Sequence, residues 1–403
     1  MDTQQAALSR GRTNFALATL FFGVFVLGCA ELLVVGVLNL IAADLRVSAA
    51  AVGTLVTAYA LGIAIGGPLL TALTLNLNKR AILIGTLILF AVANLIPVVV
   101  PDYGLFVAMR VVAGAVQGLF IAVGFVTGMS IVPPERAGRA ISVIISGIAV
   151  SAALGVPLGT LVGQTLGWRG SFTGIIILSV VALVATLALV PSAPRTGGGV
   201  AGQARYAFAP RVLAVLVLNF LVFAAVYSAL TYIVPFLDGV TGISGALISV
   251  FLLAYGMANA VGAFCGGRFA DKNAARTLIV ATVGTAACLL ALRLVGAIAL
   301  PVALVLSVWG LFVGVMVPSL QFRAVSLAGP GGALASSLPG SAVNVGIAVG
   351  SAAGGVTISN FNASAPLVTG LIIAVIAIPT AWATSFLKPP AVQEAAELTP
   401  EAT

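Results

Sequence analysis

The sequence predicts an all-α membrane protein with twelve transmembrane helices in two pseudo-symmetric six-helix bundles. Three observations predict it: composition, the length of the apolar runs, and an echo between the two halves. Of 403 residues, 61% are hydrophobic and only 7% are charged. Mean hydropathy is +1.22. A soluble domain carries about 25% charged residues, so a water-soluble globule is excluded. Apolar runs of about 20 residues recur along the chain, each able to cross a bilayer core. Backbone groups in lipid must bond within their own segment, so the runs are helices.

The spans read as 15–40, 48–72, 80–100, 103–131, 138–166, 170–191, 211–237, 244–267, 276–296, 299–322, 333–359 and 364–387. The first run is too long for a signal-peptide core and reads as an uncleaved span. The polar, Gly-rich stretch 192–210 separates a bundle over 1–191 from a second over 211–387. Residues 388–403 form an acidic tail, expected to be disordered. With the N-terminus inside, 14 of the 18 Lys and Arg residues fall on the cytoplasmic side. Arg46, Arg169 and Arg293 fall outside, and Arg110 lies within a span. That asymmetry predicts cytoplasmic N- and C-termini. A shift of 196 positions lays Tyr59 on Tyr255, Gly66 on Gly262 and Arg80 on Arg276. Paired halves with a site between them are a recurring transporter plan.

In the fifth span Gly147, Ser151, Gly155, Gly159, Gly163 and Gly167 fall on every fourth position. They make a nearly side-chain-free ridge that lets another helix approach closely. Pro157 lies within it and predicts a kink. A moving joint and ordinary small-residue packing are both open. Comparable ridges run along the second span (Thr54, Ala58, Gly62, Gly66), the eighth (Ala254, Ala258, Gly262, Gly266) and the eleventh (Ala342, Gly346, Gly350, Gly354). These four helices are expected to face each other across the boundary between the halves.

Glu31 and Arg110 are the clearest ionisable residues deep in apolar spans. A charge at the bilayer centre costs on the order of 2.5 to more than 10 kcal/mol, so each should line a cavity or have a partner. A rise of about 1.5 Å per residue puts Glu31 about 13 Å and Arg110 about 10 Å below the outer ends of their spans. The two therefore sit near one level. A carboxylate held between desolvation and a neighbouring cation changes protonation as water access changes, which proton-coupled exchange requires. The alternative is a fixed ion pair that only locks two helices. Tyr59, Gln117, Asn219, Phe223, Tyr227, Tyr255, Asn259 and Asn344 are the other candidate cavity residues. For each, a helix-to-helix hydrogen bond is the competing reading. Tyr227 stands at the repeat-shifted position of Glu31.

There is no His, and the three Cys lie inside apolar runs. No metal, cofactor or disulfide is expected. The +8 net charge is spread singly through loops without an arginine-rich patch, so nucleic acid is not an expected partner. Paired acids, a Ser–base arrangement and metal ligands are absent at depth, so an enzyme is not expected.

Leu154 to Gly159 with Gly163-Gln164 and Gly167 to Phe172, Arg110 to Gly114, Glu31, and Gly267 with Asp271, Lys272 and Arg276 together resemble the major facilitator superfamily, and within it the twelve-helix drug:proton antiporters of the sugar- and chloramphenicol-efflux subgroup. Leu154 to Gly159 (LGVPLG), Gly163-Gln164 and Gly167 to Phe172 (GWRGSF) are similar to the span-five antiporter motif. Val156 stands between Gly155 and Pro157, where the broader family has Gly directly before Pro. Arg110 to Gly114 (RVVAG) resembles the span-four motif whose Arg is implicated in proton coupling, and Glu31 matches a span-one acid of many relatives. The cytoplasmic gate-loop motif is matched by Gly267, Asp271, Lys272 and Arg276. Its first-half copy keeps Lys79 and Arg80 but has Thr71 and Leu75 for Gly and Asp. The resemblance implies a monomeric, proton-coupled exporter in a bacterial inner membrane, working by alternating access with protons and a small-molecule substrate as partners. One acid, one base and several aromatics suggest a neutral or monocationic amphipathic compound, such as a drug, sugar or metabolite. A proton-independent facilitator or importer on the same fold is the alternative.

Overall fold

A computed structural model of the chain describes residues 10–74, 77–133, 136–191, 206, 208–329, 335 and 338–389. Most of the expected linker and tail, and Leu75, lie outside the described residues. Every described element is a helix. Among the described residues, ten helices are long and apolar enough to cross a membrane. Two of them, Arg139–Leu189 and Ala246–Val295, run to 51 and 50 residues. At about 1.5 Å per residue each is more than twice the thickness of a bilayer core. Each also breaks in the middle, at Gly167 (φ 76°, ψ 163°) and at Asn273 (φ −164°, ψ 86°). Each is thus two passes, and the twelve expected spans are present. Gly167 adopts a backbone conformation that only glycine reaches without strain, which fixes the turn between spans five and six.

Other boundaries have local causes. Asn78 accepts from the backbone N–H of Arg80 and Ala81, capping span three (Lys79–Val99). Asn273 accepts from the Arg276 N–H at 2.9 Å and starts span nine. Asp102 accepts from Leu105 at 2.6 Å and caps span four (Tyr103–Ser130). An oxygen on these side chains satisfies donors that a helix start leaves unpaired. Span one (Arg10–Gly36) bends at Val37 (φ −114°, ψ 17°) and continues as Leu38–Leu45. Span seven (Pro210–Leu230) bends the same way at Tyr232 (φ −110°, ψ 20°) and continues as Ile233–Gly239.

Spans two and five each contain one π-helical turn, at Gly62–Gly66 and Ser151–Gly155. Both turns end two residues before a proline, Pro68 and Pro157. Proline lacks an N–H, and its ring presses on the carbonyl four residues back. One wider turn relieves both problems without ending the helix. The kink expected at Pro157 is therefore a π turn placed just before it.

The chain divides into two compact units, one of Met1–Val47, Thr54–Thr196 and Ile248–Leu253, the other of Ser48–Gly53, Gly197–Leu247 and Ala254–Thr403. The glycine ridges pack inside these units, which corrects the expectation that they meet across the halves. On span five, a side chain at Gly147 would strike the backbone of Phe21 and Phe25, one at Gly155 the Cys29 sulfur, one at Gly159 Leu33, and one at Gly163 Val37. All these neighbours belong to span one or its continuation. Gly62 and Gly66 of span two lie against Val111 and Ala115 of span four. In the second unit Gly346, Gly350 and Gly354 lie against Phe220, Ala224 and Ser228 of span seven, and Gly262 and Gly266 against Leu311 and Val315 of span ten (Ala299–Ala328). The repeat survives at the level of single contacts. Gly114 abuts the Tyr59 carbonyl and Gly118 the Ile63 carbonyl, while Gly310 abuts that of Tyr255 and Gly314 that of Asn259. Each pair is its counterpart displaced by 196 positions.

Candidate functional site

Four of the residues singled out in the sequence converge in the first unit. Spans one, two and four bring Glu31, Tyr59, Arg110 and Gln117 together. The close approach needed is supplied by Gly114, whose missing side chain lets the Tyr59 backbone lie against span four. Tyr59, Arg110 and Gln117 are each 1% exposed. Glu31 as a whole residue is half-buried.

Arg110 makes no ion pair with the Glu31 side chain. Its Nε donates to the Leu55 carbonyl at 3.2 Å, and its two terminal nitrogens donate to the Ala30 and Glu31 carbonyls at 2.9 and 3.1 Å. Its planar head lies 3.9 Å from the centre of the Tyr59 ring. Such a stack is favourable for a desolvated guanidinium. Arg110 therefore ties spans one, two and four together through backbone oxygens. The carboxylate itself is held by Gln117, whose Nε2 donates to Glu31 Oε2 at 2.6 Å. The Tyr59 hydroxyl donates to Gln117 Oε1 at 2.6 Å. The level shared by Glu31 and Arg110 was readable from the sequence. The contact through Gln117 was not, because only spacing on its own helix was available.

The other candidates lie in the second unit. Asn219 donates to the Val215 carbonyl of its own helix at 2.9 Å, and Asn344 to that of Gly340 at 2.9 Å. Phe223 and Tyr227 stack at 6.4 Å. Tyr255 packs edge-on to Trp309 at 5.3 Å, and Asn259 donates to the Gly310 carbonyl at 3.4 Å. These are mostly the helix-internal and helix-to-helix contacts of the competing reading. In the loop regions Lys79 is buried and Arg80 donates to the Leu187 carbonyl. Gly267, Asp271 and Lys272 lie on the last turns before the Asn273 break, and Arg276 follows it.

One cluster escaped the sequence reading. Asp44, beyond the bend in span one, accepts from Arg169 Nη1 at 2.6 Å and from the Trp168 indole at 3.1 Å. Asp44 and Arg169 form a side-chain ion pair with both partners over a third exposed. Trp168 packs in turn on Phe106 and Phe172, with ring centres 5.5 and 5.7 Å away. Asp44 lies beyond the end of the first apolar run, where an acid costs little and so carries no signal in the sequence.

The Major Facilitator Superfamily model matches residues 20–338. An MFS-type transporter of Bacillus subtilis (strain 168), YtbD, is 32% identical over 382 residues, covering 93% of this chain and 96% of that one. The inner membrane transport protein YdhP of Escherichia coli (strain K12) is 31% identical over 86% of this chain and 90% of its own. A chloramphenicol resistance protein of Streptomyces lividans is 33% identical over 66% of this chain and 69% of its own. Among solved structures, a bacterial homologue of the human lysosomal transporter Spinster, inward-facing and occupied, aligns with a TM-score of 0.81 at 15% identity, covering 94% and 98% of the two chains. The xylose transporter XylE of E. coli aligns at 0.73 and 15% identity, covering 93% and 98%. The chain is a multi-pass membrane transporter, and it belongs to the major facilitator superfamily.

Proposed function

We propose that the protein is a proton-coupled exporter of a small neutral or monocationic amphipathic compound, acting as a monomer in a bacterial inner membrane. The halves 1–191 and 211–387 alternate access, with both termini cytoplasmic. One observation carries the reading: Glu31 is half-buried and bonded to an amide, while the nearby Arg110 spends its donors on backbone carbonyls. A carboxylate locked in a bidentate ion pair would resist protonation. One held by a neutral amide is free to gain and lose a proton when alternating access brings water to it. Arg110 keeps its charge throughout and holds the three helices around the acid. The direction of transport rests on the span-five motif and on the chloramphenicol resistance relative.

Each unit charge moved gains about 2.3 kcal/mol per 100 mV. At 100 mV that sustains roughly a 50-fold concentration ratio of a neutral substrate for one proton exchanged. The test is uptake into inverted vesicles, with chloramphenicol as the first probe of a drug panel. The transporter should accumulate at least one compound against its gradient, and a protonophore should collapse that accumulation. Glu31→Gln should bring it to equilibration only. Undiminished uphill transport by Glu31→Gln would remove Glu31 from the coupling role. Equilibration that ignores the proton gradient altogether would identify a facilitator.

A further inference from the structure

The donors around Glu31 point one way. The Tyr59 hydroxyl donates to Gln117 Oε1, and Gln117 Nε2 donates to Glu31 Oε2, both at 2.6 Å. This order fits a charged carboxylate, which only accepts. A proton placed on Oε2 sets two donors against each other. The conflict vanishes if the amide turns over. Glu31 then donates to Gln117 Oε1, and Gln117 Nε2 donates to the Tyr59 oxygen. The phenolic proton needs a new acceptor, and one is in place: the Leu27 carbonyl lies 3.4 Å from the Tyr59 hydroxyl. Leu27 is one helical turn before Glu31 on span one. The chain of bonds therefore has two self-consistent arrangements, each pairing the phenolic proton, the acid and one amide N–H, as burial favours.

We propose that Gln117 is a positioning residue that reads the protonation of Glu31 by inverting its amide, which reverses the hydrogen bonds out to Tyr59. The inference rests on the reading of Glu31 as the coupling acid. When Glu31 is charged, Tyr59 of span two donates to span four. When Glu31 is protonated, Tyr59 donates to the Leu27 carbonyl of span one. Protonation thus commits the Tyr59 proton to the tie between spans one and two, which at 3.4 Å is the longer of its two contacts here, and no covalent bond other than the acid O–H is formed. The other charged or titratable groups along this chain of bonds are Arg110 on span four, which faces both Glu31 and Tyr59, and Cys29 on span one, which faces Tyr59. The fifth span faces this part of span one with Ser151 and Gly155, neither of which titrates. Arg110 stays on its three carbonyls and on the Tyr59 ring in both arrangements.

Infrared difference spectra of the whole protein in lipid nanodiscs, taken between high and low pH, test this without a known substrate. In the wild type a carboxylic acid C=O band that is lost in Glu31→Gln should appear on acidification. A tyrosine C–O band that is lost in Tyr59→Phe should shift at the same midpoint. Gln117→Met keeps the side-chain length but can neither donate nor accept as an amide. It should retain the carboxyl band and lose the tyrosine shift, and Gln117→Leu should do the same if the methionine variant does not fold. A carboxyl band with a static tyrosine band in the wild type would mean that the proton settles on the other oxygen without inversion. That overturns the proposal and leaves proton coupling standing. A tyrosine shift that persists without the amide also overturns it. No Glu31 band at any pH would overturn both readings.

Discussion

In the first half, Glu31, Tyr59, Arg110 and Gln117 meet around a half-buried carboxylate. At the positions 196 residues later the second half has Tyr227, Tyr255, Leu306 and Val313. Leu306 and Val313 are buried. The seam beneath these positions is nevertheless the same, with Gly114 against Tyr59 and Gly310 against Tyr255. The π turns follow the same division. Pro68 and Pro157 force them in spans two and five, while Phe264 and Ala353 occupy the corresponding places and the described helices there have none. Close backbone packing is a requirement of the repeated scaffold, so both halves keep it. A buried charge is costly, and one half is enough to carry it.

The largest effect separating the halves should come from Arg110→Leu, which gives the first half the residue of the second. It removes three bonds to backbone oxygens and the Tyr59 stack, and leaves Glu31 without a neighbouring cation. We expect a loss of about 3 kcal/mol and of uphill transport. Leu306→Met, conserving volume, should cost under about 1.5 kcal/mol and leave transport intact. Thermal midpoints of the purified proteins and vesicle uptake check both.

The shared seam predicts equal damage on the two sides. A methyl group at Gly114 or at Gly310 would overlap a backbone carbonyl that cannot move alone. Gly114→Ala and Gly310→Ala should each cost about 1–3 kcal/mol. A large loss in one and none in the other would break the structural repeat. Pro157→Ala removes the cause of the span-five π turn and allows regular helix, as Ala353 does in the second half. A small gain in thermal midpoint with slower transport is expected if the turn is used in motion, and the gain alone if it is only packing. The smallest effect belongs to Asp44→Asn. The pair with Arg169 is over a third exposed on each side, so its loss should cost no more than about 1 kcal/mol, measurable by thermal unfolding.

Much of this was legible in the residues. Apolar length set the spans, and the Gly-rich ridges announced themselves by spacing, although Gly167, read as the last step of the span-five ridge, makes the turn that ends it. The ridges show why legibility stops. Small residues at every fourth position say that another backbone comes close, but not which one. The ridge of span five meets span one in its own bundle, as the corrected packing shows. Glu31 and Arg110 were found because charges in lipid are rare. Their relation was not, because the partners of Arg110 are carbonyls of Leu55, Ala30 and Glu31, and every residue has a carbonyl. Gln117 stood on the right face of its helix but carried no mark to distinguish it from Asn219, whose amide only bonds its own helix.

The central claim is that one acid in one half couples transport to protons. Glu31→Gln measured in two modes on the same vesicles tests it most directly. Exchange of labelled for unlabelled substrate needs a folded, moving transporter but no proton, whereas uphill accumulation needs both. Intact exchange with no accumulation is the expected result, and accumulation equal to the wild type would contradict the account.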